Sequence, residues 1–202
     1  TCESGLEGIS ETTSVLIGAC DNGMLVNPLA LKKLLDDNSI DGIVFTFKHH
    51  ATVKRNPHMY GYVIVDDKEN ITGVSVKIPI SNKPEDNHAI VGTFYFRNAN
   101  IFRIGVGALK NKNNRVNNEF YVDSLIGELS ALGYRLKPLV VDHYVCWGTP
   151  NDLKTFLYWQ SFFHKVDWHP YSLEKDFTVM CDKIPALDKK IRFFQQEVES
   201  IL

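Results

Sequence analysis

The 202-residue chain reads as an α/β protein on a mixed sheet, and three observations carry that reading. Short apolar runs bounded by turn residues recur, most clearly over residues 40–47 and 89–96. Between them lie stretches of helical periodicity; one has apolar residues at 122, 125, 126, 129 and 132 and stops at Gly133. Alternating strands and helices are the pattern of an α/β architecture. Finally, Asp66-Asp67-Lys68-Glu69-Asn70 is a turn between two strand-like runs over 60–78, and such a hairpin makes the sheet mixed instead of purely parallel.

Taken in order, residues 1–12 are polar and predict a loop. Residues 14–20 predict the first strand. Asn27-Pro28 opens a helix, with Asn as cap, Pro in the first turn and an apolar face of Leu31, Leu34 and Leu35 that stops near residues 36–38. Residues 40–47 predict a central strand. The segment 49–58 is polar, holds His49, His50 and His58, and predicts a loop of solvated histidines. The hairpin follows, then a Pro- and Asn-containing loop over 79–88 and a strand over 89–96. Asn98 or Asn100 caps a helix to about 109, and 110–118 is a basic, Asn-rich loop. A helix over 120–132, two short strands at 136–141 and 143–146, and a helix from Thr149-Pro150 to about 159 complete the domain. Beyond it the chain turns aromatic, with Phe156, Trp159, Phe162, Phe163, Trp168 and Tyr171. From Pro185 a stripe of Leu187, Ile191, Phe194, Val198 and Ile201 predicts a further helix, able to dock on its own chain or on a second copy. The expected organisation is an α/β domain over 1–150 and a helical extension over 151–202.

Charge and composition narrow the function classes. A net charge of −2 with no basic stripe argues against nucleic acid or a membrane surface as partner. No run is long enough to span a bilayer, and the first residues are not a signal peptide. Cys2, Cys20, Cys146 and Cys181 show no metal-ligand spacing, so reduced thiols in a cytoplasmic protein are expected.

One pattern points to chemistry. The apolar run over 14–18 leads into Ala19-Cys20-Asp21-Asn22-Gly23. A strand that delivers one carboxylate to the rim of an α/β sheet places it where such folds bind ligands. Asp21 is there a candidate for Mg²⁺ carrying phosphates. A turn or helix-capping aspartate is the alternative reading of the same residues.

Six segments in register, covering residues 14–157, resemble the sugar-phosphate nucleotidyltransferases: Gly18-Ala-Cys-Asp-Asn-Gly23, Tyr60-Gly-Tyr-Val63, Ile71-Thr-Gly-Val-Ser-Val-Lys77, Ala89-Ile-Val-Gly-Thr-Phe-Tyr-Phe96, Asn118-Glu-Phe120 and Gly148-Thr-Pro-Asn-Asp-Leu153. The resemblance implies a Rossmann-like domain, with a mixed central sheet flanked by helices. It implies attack of a sugar 1-phosphate on the α-phosphorus of a nucleoside triphosphate, with release of pyrophosphate. It assigns Asp21 to Mg²⁺, Asn22 to sugar or phosphate, and Tyr60-Gly61 to a close approach of backbone to sugar. Lys77 goes to the sugar phosphate, Val91-Gly92 to a backbone sugar contact and Glu119 to sugar hydroxyls. An edge-strand glycine, a solvated hairpin lysine and a first-turn glutamate are the plainer alternatives for Gly61, Lys77 and Glu119.

The chain departs from the family pattern in three places. The glycine-rich triphosphate loop is missing, so the chain is expected to be a piece that does not catalyse transfer alone. Val76 stands where a Glu precedes the lysine. Cys146 stands where the second metal-binding Asp belongs, which leaves Asp142, four residues earlier on the same strand face, as a substitute. Two rival functions follow. One is a nucleotide-sugar binding or regulatory module without turnover. The other is a glycosyltransferase of related fold, disfavoured because Asp21 has no second Asp two residues away. Surface-polysaccharide precursor synthesis is the context that the resemblance suggests.

Overall fold

The computed structural model describes residues 2–172, so the stripe from Leu187 to Ile201, and Cys181, lie outside the described residues. The chain divides into two compact units, Thr1–Tyr144 and a second that begins at Val145.

The first unit is built on a six-stranded mixed sheet. Its strands are Val15–Gly18 (β1), Gly42–Phe47 (β3), Gly61–Val65 (β4), Ile71–Val76 (β5), His88–Phe96 (β6) and Leu136–Val140 (β7). The order across the sheet is β5-β4-β6-β3-β7, and β1 also pairs with β6. β3 runs parallel to β7, and β6 runs antiparallel to β1, β3 and β4. Both faces are buried. On one, Val44, Val63, Ile90, Phe94 and Phe96 pack against the helices Ala99–Asn111 (α3) and Val122–Ala131 (α4). On the other, Ile43, Phe45, Phe47, Tyr62 and Val91 pack against the helices Pro28–Asp36 (α1) and Ala51–Arg55 (α2). The alternation of β3 between two apolar layers explains why all six of its residues are buried and why it reads as an unbroken apolar run. Helix starts follow the local chemistry: the Asn27 side chain accepts from the N–H groups of Leu29 and Ala30, and Asn98 accepts from Ile101. α4 lies over the hairpin, with the Ser130 hydroxyl donating to the Ile71 carbonyl at 2.9 Å.

Three expectations need correction. The histidine segment is not a loop. Residues 51–55 are helical, and the His50 ring nitrogen accepts from the Thr52 N–H as a cap. Nor are its histidines simply solvated: His49 faces Asp86 at 3.2 Å and His58 Nδ1 lies 3.2 Å from the Lys77 carbonyl oxygen. Second, the turn reading of the residues around Asp21 stops at Asn22: Asn22–Leu25 is a strand (β2) that pairs with the strand begun at His143 (β8, His143–Cys146), and the Asp142 N–H donates to the Leu25 carbonyl at 2.9 Å. Third, the last helix, Pro150–Lys165 (α5), runs six residues past its expected end.

Within the second unit, α5 starts at Thr149, whose hydroxyl accepts from the Asp152 N–H and donates to the Asp152 carboxylate at 2.6 Å. Trp159, Phe162 and Phe163 pack ring to ring, and Phe163 lies 4.5 Å from His169. Trp168 is largely exposed.

Candidate functional site

Two strands share one edge of β6, end to end. β1 pairs with it from Phe96 down to Thr93, and β4 pairs with it at Ala89 and His88. Between the carboxyl end of β1 and the start of β4 the edge of β6 is open over Ile90–Gly92. Loop groups fill that gap: the Ala19 N–H donates to the Gly92 carbonyl at 2.9 Å, and the Asn22 side-chain amide donates to the Val91 carbonyl at 2.8 Å. Gly92 has φ +94°, and a Cβ there would stand 3.1 Å from Ala19 Cβ, so both conformation and space call for glycine. Asp21 precedes Asn22 and is exposed at this gap.

The hairpin brings the second group of residues. Gly61 pairs with Val76, so Lys77 emerges beside the start of β4. Lys77 has φ +60°, a conformation a lysine adopts at a cost of roughly 1–3 kcal/mol. Its N–H donates to the Tyr60 carbonyl at 3.0 Å, and its ammonium lies 5.5 Å from the centre of the Tyr121 ring. The Tyr121 hydroxyl donates to Glu119 at 3.0 Å, and that bond raises the phenol above its ordinary range. The backbone turns sharply just before, with left-handed Asn117 and Asn118, and leaves Glu119 exposed.

Asp123, in the first turn of α4, completes this cluster and was not legible as a site residue. A Cβ on Gly61 would fall on its Oδ2 and 3.1 Å from its Cγ, so the space vacated by the missing side chain is filled by this carboxyl. Gly61 therefore opens room on this face for a half-buried carboxyl. Burial pushes the Asp123 carboxyl up to about 6, against a hydrogen bond from its own backbone N–H and the Lys77 charge, which both lower it. The only local signal in the sequence, an Asp in a helix first turn, is shared by many capping residues.

A pH dependence follows. Because the folded-state value lies above the ordinary carboxylate value, ionised Asp123 opposes folding at neutral pH, and that opposition fades as pH falls from about 6 towards 4. Asp123→Asn is expected to raise stability at pH 7–8 by up to about 3 kcal/mol, and the gain should shrink over that same window. Thermal melts of both proteins between pH 4 and 8 read this directly; a gain that is constant with pH contradicts it.

The remaining assigned residues divide. Val91 is buried, and its carbonyl is engaged by Asn22. The Tyr60 side chain is turned away from the gap, into an aromatic cluster, with its hydroxyl donating to Thr52 at 2.8 Å; only its backbone borders Lys77. Asp142 is exposed but pairs opposite Leu25, four residues from Asp21, which is about 13 Å along extended chain. The two carboxylates are thus not brought to one ion. Among the described residues no group of three or more His, Cys, Asp or Glu side chains is placed to hold a metal. Asp21 alone still fits Mg²⁺, which commonly takes one protein carboxylate, with phosphate oxygens and water as its other ligands. Cys146 lies 3.6 Å from the Asp152 carboxylate in the second unit.

No protein-family model matches the chain, and no curated protein matches it. Solved structures do. One is the crystal structure of the nucleoside-diphosphate-sugar pyrophosphorylase from Vibrio cholerae RC9, with 15% identity and a TM-score of 0.54. The likeness is one of fold. It covers 76% of this chain and 59% of that one, so the chain spans less than two thirds of the length of the structure it matches. The mixed sheet flanked by helices is common to a pyrophosphorylase, and no helix among the described residues is long and apolar enough to cross a membrane.

Proposed function

We propose that this chain carries the metal-holding and sugar-phosphate-binding half of a sugar-phosphate nucleotidyltransferase with a Rossmann-like domain. The observation that carries the reading is the shared edge of β6. It brings the strand-end loop of Asp21 and Asn22 and the lysine-bearing hairpin to one side of the sheet, with Gly92 and Gly61 between them. The fold of the pyrophosphorylase supports it.

On this reading the sugar 1-phosphate lies between Lys77 and the open edge of β6. The Lys77 ammonium holds its phosphate as a point charge. Glu119, with Tyr121 beside it, accepts from sugar hydroxyls, and Asn22 borders the phosphates. Asp21 would hold Mg²⁺, which neutralises charge on phosphate oxygens. The reaction needs no covalent intermediate; positioning and charge stabilisation carry it. A nucleoside triphosphate is the second substrate, in the cytoplasm, and surface-polysaccharide precursors are the proposed context. Contact between copies through the segment after Pro185 is a further proposal.

A second reading is favoured by one observation. The position of the second metal-binding Asp is Cys146, whose thiol faces Asp152, and the Asp142 backbone is bonded to Leu25, at the far end of β2 from Asp21. A nucleotide-sugar binding module without turnover accommodates both facts.

Calorimetry with a panel of hexose 1-phosphates, and pyrophosphate release with a panel of nucleoside triphosphates and Mg²⁺, test the proposal. Binding of a hexose 1-phosphate is expected. Where release is found, Asp21→Asn should lower it about 100-fold or more. Nucleotide-sugar binding with no release supports the second reading, and binding of neither ligand overturns both.

A further inference from the structure

We infer that Asp123 is a positioning residue of the phosphate subsite: it sets where the Lys77 ammonium stands, and Gly61 is glycine to admit it. This rests on the reading of Lys77 given above. The first-turn carboxyl of α4 occupies the volume over Gly61, directly across the hairpin from Val76 and one residue from Lys77. Among the described residues it bonds no other side chain; its one hydrogen bond comes from its own backbone N–H. The Lys77 backbone is set by a left-handed φ and by its bond to Tyr60, its ammonium lies 5.5 Å from the centre of the Tyr121 ring, and its charge lowers the Asp123 carboxyl. An ammonium on a four-carbon stem is otherwise mobile, with several rotamers of similar energy. On this inference the half-buried Asp123 carboxyl selects one of them. The acid opposes folding at neutral pH, as expected of a group retained for a site and not for stability.

The titratable groups around Lys77 are Asp123, Tyr121 and Glu119 on the segment that enters α4, and His58 from the turn Pro57–Met59, which touches the Lys77 carbonyl. An experiment on the whole chain separates them. Lysines are ¹³C-methylated and the Lys77 signal is assigned by its loss in Lys77→Arg. The expected result is a step in the Lys77 signal with a midpoint near pH 6, set by Asp123. The step should vanish in Asp123→Asn and persist in His58→Gln. A step that follows His58 instead, or no step, overturns the inference whether or not any ligand binds.

A second arm uses α-D-glucose 1-phosphate and inorganic phosphate as probes. Asp123→Asn should weaken both about 10-fold, Lys77→Met by at least as much, and the double variant no further than Lys77→Met. Additive losses, or a loss for the sugar phosphate with inorganic phosphate unaffected, overturn the inference, because the acid then acts on the sugar and not through the lysine. If the unaltered protein binds neither probe, the proposed function falls, and the lysine titration decides the inference by itself.

Discussion

Phe47→Ala is expected to lower stability by about 3–5 kcal/mol, the usual range for emptying a buried aromatic site. Phe47 is 2% exposed at the end of β3. Its ring stacks on Tyr144 with centroids 3.9 Å apart and meets His50 and Tyr60 edge-on at 5.7 and 5.4 Å. The cluster does more than fill space. Tyr60 leans on Phe47 and donates to Thr52, and its carbonyl accepts the N–H of Lys77, so the ring helps fix the chain that enters β4. Urea unfolding gives the loss, and Phe47→Leu should recover more than half of it. A loss below about 1 kcal/mol would mean that the ring stack is incidental.

Gly61→Ala is expected to cost about 1–3 kcal/mol, as overpacking does in a filled interior. The added methyl would fall on the Asp123 carboxyl and 3.1 Å from Ile90 Cδ1. The decisive measurement is the same substitution in an Asp123→Ala background. Removing the carboxyl takes away the two nearest contacts and leaves the flexible end of Ile90 as the next, so the cost should drop to a few tenths of a kcal/mol. Equal costs in the two backgrounds would mean that the glycine serves some other purpose, such as close approach of a ligand to the backbone.

The sequence made most of the scaffold legible because its signals are local. Asn27-Pro28 announces α1, Asp66 to Asn70 closes the hairpin with the Asp66 carboxylate accepting from the Lys68 and Asn70 N–H groups, and the apolar run Ile43–Phe45 predicts a central strand, which is covered on both faces. What stayed hidden depended on distant partners. β2 is a strand only because the segment at Asp142, far along the chain, lies beside it, and Asn-Gly in isolation reads as a turn. The helix at Ala51–Arg55 is capped by a histidine, a residue with weak capping preference. For the site, the resemblance assigned roles to Asn22, Lys77, Val91 and Gly92; in the fold Asn22 bonds the Val91 carbonyl beside Gly92, and Lys77 leaves the hairpin at the start of β4. Asp123 escaped because its role depends on a void at Gly61, more than sixty positions earlier. The sequence also suggested Asp142 by strand periodicity, and in the fold its N–H bonds the Leu25 carbonyl, four residues along the chain from Asp21.

That β1 and β4 abut along one long strand has an evolutionary corollary. The acid-bearing loop and the lysine-bearing hairpin are anchored independently, each by its own few rungs, and meet only across a seam. Either half can drift, lengthen or be replaced while the other keeps its footing. On the proposed function the loop would hold the metal and the hairpin the sugar phosphate, and hybrids joined at the seam are the natural place to test whether the two can be exchanged.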